Sequence, residues 1–158
     1  MSRRGRAQRL RLALVGSSGG HLLQLLVLQP VWAEHSRLWV TFRTPDAEHA
    51  LNGESAIWCH HPTNRNIPNL IRNTLVALSV LVRYRPTHII STGAAVAVPF
   101  FYLGRLFGAR TIYIEVFDRI DSATLTGRLV QPVTTDFLVQ WPEQRRLYRK
   151  ARLLGPLL

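Results

Sequence analysis

The chain has 158 residues, of which 47% are hydrophobic, so it can bury the core of one compact domain but has no room for a second. Its 20 basic and 9 acidic residues give a formal net charge of +11, a balance that favours phosphate groups on a ligand or a surface. A single cysteine, Cys59, excludes an internal disulfide framework, and no apolar run reaches the roughly 18 to 20 residues that a membrane-spanning helix needs.

The N-terminus is a basic arm. Its arginines, with no acidic residue among them, are Arg3, Arg4, Arg6, Arg9 and Arg11. The apolar run that follows ends at Gly16, well short of the roughly 7 to 15 residues of a signal-peptide core, so we expect the protein to stay in the cytoplasm. The aromatic residues lie within apolar runs and do not alternate with arginines, which does not indicate a nucleic-acid-binding surface. We therefore divide the chain into an arm, residues 1–11, and a single domain, residues 12–158.

Short runs rich in β-branched residues alternate with helical patterns along the whole domain. The predicted strands are residues 10–15, 38–42, 56–59, 88–90, 111–116 and 136–140. The predicted helices are residues 22–28, a short segment opening at Thr44 and Pro45, residues 68–84, residues 94–107, a segment starting near Leu125, and residues 142–150. This alternation is typical of the α/β class with a doubly wound parallel sheet. In such a sheet, ligands bind beyond the carboxyl ends of the strands.

A loop of small residues joins the first predicted strand to the first helix. It consists of Gly16, Ser17, Ser18, Gly19 and Gly20. Glycines let a ligand approach the backbone, and the helix N-terminus offers unpaired amides, so we interpret the loop as a phosphate site; a tight turn is the alternative. It lacks the Gly-Lys-Ser/Thr ending of a P-loop and the Gly-x-Gly-x-x-Gly of a dinucleotide fingerprint. Because Arg43 ends the second strand and could hold a 2′-phosphate, an NADP-binding enzyme remains a weaker alternative.

His21 follows this loop in the first turn of the helix, where the helix dipole disfavours the imidazolium and should lower the pKa of the ring. A neutral imidazole beside an anion site can accept a proton from an attacking hydroxyl. The alternative is a histidine that only hydrogen-bonds the loop. His60 and His61 are adjacent in sequence and have no third ligand at suitable spacing, so we predict no metal site.

Two further strand ends carry polar residues. Ser91, Thr92 and Gly93 form a second turn of small residues that leads into a helix, and the two turns together could hold one diphosphate. The loop after the fifth strand contains Glu115 and Arg119, which we predict to be a candidate general base and a phosphate ligand, respectively.

These loops also carry a resemblance to a known family. The stretches concerned are residues 16–21, 90–93, 98–100, 113–119, 125–128, 137–141 and 143–144. The first resembles the glycine-rich loop in the N-terminal domain of the N-acetylglucosaminyltransferase of peptidoglycan synthesis. The whole domain resembles bacterial exopolysaccharide and capsule proteins related to the membrane-anchoring subunit of the two-chain UDP-N-acetylglucosamine transferase of N-glycan assembly.

The resemblance implies a Rossmann-like N-terminal half of a GT-B glycosyltransferase that binds a lipid-diphosphate-linked acceptor and recruits a separate UDP-sugar-binding catalytic subunit. It implies an inverting transfer without a cofactor, with the isolated chain inactive. His21 or a carboxylate such as Glu115 would serve as the base. Because no spanning helix is evident, we expect peripheral attachment to the cytoplasmic face of the inner membrane through basic and apolar contacts. The alternative is a non-catalytic scaffold that only recruits and activates its partner.

Overall fold

The computed structural model describes residues 9–158, which form one parallel β-sheet covered by helices on both faces. The strands are β1 (Arg11–Val15), β2 (Ser36–Phe42), β3 (Ala56–Cys59), β4 (His88–Ser91), β5 (Arg110–Ile114), β6 (Asp136–Val139) and β7 (Arg152–Leu153). The α-helices are α1 (Gly20–Val27), α2 (Gln29–Trp32), α3 (Pro45–Ala50), α4 (Ile67–Arg83), α5 (Ala97–Leu106) and α6 (Leu125–Val130). Short 3₁₀ helices cover Gln131–Val133 and Pro142–Arg146. The predicted doubly wound α/β class is confirmed.

The sheet order is β3-β2-β1-β4-β5-β6-β7, and every neighbouring pair is parallel. The chain therefore winds outward from β1 in one direction and from β4 in the other. β1 and β4 lie side by side, and the helices that follow them, α1 and α5, pack on opposite faces of the sheet. Such a switch point opens a crevice in which doubly wound proteins bind ligands.

The strand β1 shows how the sequence builds a core on each face. Leu12 and Leu14 point to one side and pack with α1, α2 and α3. Ala13 and Val15 point to the other side and pack beneath α4 and α5. Successive side chains of a strand point to opposite faces of the sheet. Because both faces are covered here, the sequence of the strand is one continuous apolar run.

The structure differs from the prediction at one edge of the sheet and in two helices. The strand β7 was not predicted, because it is a two-residue edge strand without an apolar pattern. It is defined by the pairing of Arg152 with Leu138. Helix α5 begins at Ala97 and not at residue 94, since Ala94 has a positive φ of 71° that no α-helix accommodates. The basic helix predicted over residues 142–150 is a single 3₁₀ segment, Pro142–Arg146. Residues 1–8 of the predicted basic arm lie outside the described residues, and Arg11 already belongs to β1.

Candidate functional site

The loops that follow β1 and β4 meet at His21. This half-buried residue is the second residue of α1, and its Nδ1 lies 2.9 Å from the backbone carbonyl oxygen of Thr92. In return, the Thr92 hydroxyl donates to the carbonyl oxygen of His21 over 2.7 Å. A carbonyl oxygen can only accept, so Nδ1 carries the hydrogen and the lone pair of the neutral ring resides on Nε2. The contact therefore sets the tautomer that a general base requires.

The neutral form of this ring is favoured by its surroundings. Burial lowers the pKa of His21 below its ordinary value, while the hydrogen bond to Thr92 and the negative charges of Glu115 and Asp118 act in the opposite direction. The predicted direction of the pKa shift is confirmed. Its main cause is burial between the two loops, whereas the sequence had pointed to the helix dipole.

A cavity of about 240 Å³ opens in front of His21 at the carboxyl edge of the sheet. The polar side chains that line it are His21, Tyr113, Asp118, Arg119, Thr124 and Thr126. They come from the start of α1, the end of β5, the following loop and the start of α6. A histidine, an exposed arginine and several hydroxyl-bearing residues thus line one space, a set that suits a ligand with a phosphate next to a reactive hydroxyl.

Gly93 allows the two loops to approach each other. Its φ is 127°, and a Cβ at this position would lie 2.7 Å from Cε1 of His21 and 3.3 Å from the hydroxyl oxygen of Tyr113. Any larger residue would clash with the imidazole. It would also have to adopt a backbone conformation that is unfavourable for L-residues.

The first glycine-rich loop is partly occupied by groups of this chain. The Gly16 amide donates to the carbonyl oxygen of Val40 over 3.0 Å, and Gly16 itself is buried. The Gly19 amide donates to a carboxylate oxygen of Asp46 over 3.1 Å. A carboxylate from α3 therefore already sits at the N-terminus of α1, where the sequence predicts a phosphate. Ser17 and Ser18 are half-buried, Gly19 and Gly20 are exposed, and their binding of phosphate stays a prediction.

The second turn does not match the predicted phosphate cradle. Ser91 and Thr92 are fully buried. The Ser91 hydroxyl accepts a hydrogen bond from the Gly93 amide over 3.0 Å, and the Thr92 hydroxyl is held by His21. Because these groups are bonded inside the fold, the turn positions the imidazole and offers neither hydroxyl to a ligand.

Glu115 also occupies a different place from the one that the sequence suggested. Its side chain is fully buried, and its carboxylate accepts from the Thr124 hydroxyl at 2.8 Å, from the Val116 amide at 2.9 Å and from the hydroxyl of Tyr148. It therefore lies behind the wall of the cavity and has no path to a substrate. The carboxylate of this loop that does face the cavity belongs to Asp118, beside the predicted ligand Arg119.

Glu115 acts on the site through Thr124. The Thr124 hydroxyl donates to Glu115 and accepts from the Gly127 amide over 3.0 Å, which caps α6. A Cβ on Gly127 would lie 2.6 Å from the Glu115 carboxylate, so α6 packs directly on this buried cluster. The cavity wall made by Thr124 and Thr126 is thereby fixed to the end of β5.

Tyr113 and Thr124 line the cavity but were not predicted from the sequence as site residues. Thr124 carried a usable signal, since a threonine just before a helical pattern is a common N-cap. Tyr113 carried none, because a tyrosine within an apolar strand is indistinguishable from core. Burial raises the pKa of Tyr113 well above its ordinary value, so its hydroxyl stays protonated.

The remaining polar candidates do not form a second site. Within residues 9–158 no three His, Cys, Asp or Glu side chains are grouped so that they could hold a metal ion. Arg43, on which the NADP alternative depended, forms an exposed ion pair with Glu48 over 2.6 Å. Cys59 is buried, and burial raises the pKa of its thiol to about 12, so it is an inert core residue. No helix in the described part of the chain is long and apolar enough to cross a bilayer.

The fold has clear counterparts among solved structures. MurG from Acinetobacter baumannii superposes with a TM-score of 0.71 at 14% identity, covering 92% of this chain and 45% of that one. The UDP-N-acetylglucosamine 2-epimerase from Rickettsia bellii superposes with a TM-score of 0.73 at 9% identity, covering 94% and 45%. The chain thus spans less than half of these proteins. It is a Rossmann-like unit that matches the N-terminal half of GT-B glycosyltransferases, as predicted.

Sequence comparison narrows this class to one family. A family described as "Oligosaccharide biosynthesis protein Alg14 like" matches residues 58–157, and the chain belongs to this family. The UDP-N-acetylglucosamine transferase subunit ALG14 of Candida albicans is 26% identical over 96% of this chain and 80% of its own length. The subunit of the same name from Debaryomyces hansenii is 30% identical over 67% of this chain and 46% of its own length.

Proposed function

We propose that this chain is the acceptor-side subunit of a heteromeric glycosyltransferase, which transfers a sugar from a UDP-sugar to a lipid-diphosphate-linked acceptor. The observation that carries the proposal is the cavity at the switch point, which is lined by both Arg119 and His21, whose Nδ1 is bound to Thr92. The relatives named as subunits of a UDP-N-acetylglucosamine transferase support the same reaction class and suggest N-acetylglucosamine as the sugar.

The chemistry follows from the placement of these groups. Arg119 binds the acceptor diphosphate and brings the acceptor hydroxyl to His21. Nε2 of His21 takes the hydroxyl proton as the oxygen attacks the anomeric carbon of the donor. The bond between that carbon and the UDP oxygen breaks, UDP leaves with the electron pair, and the configuration inverts. Thr92 holds the ring through Nδ1 and stabilises the imidazolium that forms.

A separate subunit completes the cleft. The chain corresponds in fold to about half of a GT-B enzyme, and the family's relatives are named as subunits. We therefore propose that a catalytic partner binds the UDP-sugar and closes over the cavity, and that the isolated chain has little or no activity. The proposed setting is exopolysaccharide or lipid-linked oligosaccharide biosynthesis.

The outer face of α4 supports attachment to a membrane. Its exposed apolar side chains recur at intervals of three and four residues, which places them on one stripe of the helix. The stripe consists of Ile67, Ile71, Leu75, Leu78 and Val82, with Leu70 beside it. Arg72 and Arg83 are exposed on the same helix and suit anionic head groups. We propose that α4 lies in the bilayer surface on the cytoplasmic face of the inner membrane.

One observation favours the alternative of a non-catalytic scaffold. The donors expected to bind phosphate in the two glycine turns are largely used within the chain: the Gly19 amide by Asp46, and the hydroxyls of Ser91 and Thr92 by their own turn and His21. A scaffold would recruit and activate its partner without touching the acceptor.

Reconstitution separates the two functions. The chain is combined with the UDP-sugar-binding subunit that co-purifies with it, and transfer of labelled N-acetylglucosamine to a lipid-diphosphate-linked sugar is measured. A shared active site predicts that Arg119→Ala raises the acceptor KM while partner affinity stays unchanged; Arg145→Ala, at an exposed arginine outside the cavity, serves as the control. If Arg119→Ala alters only partner affinity, the scaffold is correct. If addition of the chain never increases transfer, both functions are wrong.

A further inference from the structure

A second cavity lies beside the polar one and differs from it in chemistry. It has a volume of about 310 Å³, which is near the lower end of the roughly 300–1,000 Å³ of small-molecule pockets. Its apolar lining side chains are Ile67 and Leu70 of α4, Ala95 and Val98 near the start of α5, and Leu129 of α6. We call this cavity the apolar groove. Arg65 and Asn66 form its polar rim.

Neighbouring residues line the apolar groove and the polar cavity. Ala94 lines the polar cavity, and the next residue, Ala95, lines the groove. On α6, Thr126 faces the polar cavity, and Leu129, one turn later on the same side of the helix, faces the groove. The two spaces therefore share one wall, with polar groups on one side and apolar groups on the other.

The opposite end of the groove runs into the exposed stripe of α4. Ile67, which begins the stripe, and the neighbouring Leu70 are also groove residues, and they are 69% and 44% exposed. The wall formed by α6 is held in place by the hydroxyl of Tyr102, which donates to the carbonyl oxygen of Leu129 over 2.8 Å. The apolar groove therefore lies between residues that adjoin the polar cavity and the surface proposed to contact the bilayer.

We propose that the apolar groove binds the hydrocarbon chain of the acceptor, at the end next to the diphosphate. This rests on the proposed function, in which a lipid-diphosphate acceptor occupies the polar cavity. The polar end of such a ligand, with its hydroxyl and diphosphate, then suits the polar cavity lined by His21 and Arg119, and its hydrocarbon suits the apolar groove. The groove selects acceptors by their lipid, independently of the attachment of α4 to a membrane.

The test uses the reconstituted pair in detergent solution with two acceptors that share the sugar diphosphate and differ only in a short or a long hydrocarbon chain. The long-chain acceptor should have the lower KM. Leu129→Gln should raise that KM by about tenfold, the change expected when a leucine-sized apolar contact is lost, and leave the short-chain KM unchanged. Leu125→Gln is the matched control, since Leu125 is 72% exposed on the same helix but lies outside the groove.

Two further variants serve as an independent test of the groove and as a control outside it. Val98→Gln reaches the groove from α5 and should repeat the effect if Leu129→Gln fails to assemble with the partner. Leu153→Ser alters an exposed leucine of β7 outside the groove and should not change KM in detergent. Equal KM values for the two acceptors, or equal effects of Leu129→Gln and Leu125→Gln, would overturn the groove proposal while transfer itself still supports the proposed function. Absence of transfer to either acceptor would overturn both.

Discussion

His21 and Thr92 are 71 residues apart in sequence, and two hydrogen bonds join them: Nδ1 of the imidazole donates to the Thr92 carbonyl oxygen, and the Thr92 hydroxyl donates to the His21 carbonyl oxygen. This reciprocal pair connects the loops of β1 and β4 at the point where the winding of the sheet reverses. It fixes the ring orientation and the tautomer before any ligand binds.

Replacing His21 by alanine should lower kcat of the reconstituted pair by about 10²- to 10⁴-fold, the usual contribution of a general base. Partner affinity should be unchanged, because the ring is half-buried and bound to Thr92 within this chain. Steady-state kinetics and a binding titration measure the two quantities. His49→Ala, at an exposed histidine of α3, is the control. Undiminished turnover by the His21 variant would remove this residue from the mechanism.

The pH dependence of transfer should report the pKa of His21. Only the neutral ring can accept a proton, so activity falls as the pH drops through the pKa of His21 in the folded protein. Because burial lowers that pKa, the decline should occur below the ordinary histidine value of about 6.5. Asp118→Asn removes a charge that raises the pKa and should move the decline to still lower pH, modestly because Asp118 is exposed. Asp121→Asn, in the same loop, should leave the profile in place; a shift to higher pH in the Asp118 variant would contradict this account.

Gly93→Ala should cost activity beyond its cost in stability. The positive φ alone destabilises an alanine by about 1–2 kcal/mol, and the new Cβ would also displace the imidazole of His21. Gly108→Ala is a matched control, since Gly108 has a φ of 80° but no atom within 4 Å of the added Cβ. Both variants should lower the melting temperature, and only Gly93→Ala should lower kcat. Equal kinetics for the two would show that the approach of the loops does not matter for transfer.

Glu115 and Tyr148 should behave as one structural unit. Glu115→Gln places an amide donor against the Thr124 and Tyr148 hydroxyls, and it should reduce the free energy of unfolding by about 1–3 kcal/mol. Tyr148→Phe should also destabilise, and the double variant should cost less than the sum of the two, because both remove the same buried contact. Urea denaturation measures the cycle. Strict additivity would show that the two side chains do not act as one unit. A large loss of kcat in Glu115→Gln without loss of stability would restore Glu115 as a direct participant.

The α4 stripe should determine membrane binding. Leu75→Ser removes a leucine at the centre of the stripe and should weaken binding to anionic phospholipid vesicles by about tenfold, the loss expected for one buried leucine. Sedimentation with vesicles gives the partition coefficient. Leu153→Ser, which alters an exposed leucine on the edge strand β7, should bind like the unaltered chain. Equal binding by the two variants would place the contact elsewhere.

Local features of the sequence were sufficient to predict most of the fold. The strands β1 to β6 and the helix α4 appear as apolar runs and helical periodicity, because burial on two faces of a sheet or one face of a helix leaves a regular pattern along the chain. The loop at Gly16 to Gly20 and the turn at Ser91 to Gly93 were visible for the same reason, since small residues between a strand and a helix have a local cause. Their position at one sheet edge then followed from the parallel sheet.

Side-chain direction and pairing depended on contacts between distant segments. Nothing in the loop after β5 distinguishes Glu115 from Asp118, yet one is sealed beneath Thr124 and Tyr148 and the other faces the cavity. Likewise, the sequence does not show that the Thr92 hydroxyl is bonded to His21, which the fold brings into contact with it. The strand β7 forms only because it pairs with β6. In each case, residues that are far apart in the chain compete for buried positions and hydrogen-bond partners. Such a competition is decided by the packing of the whole domain, which leaves no local pattern in the sequence.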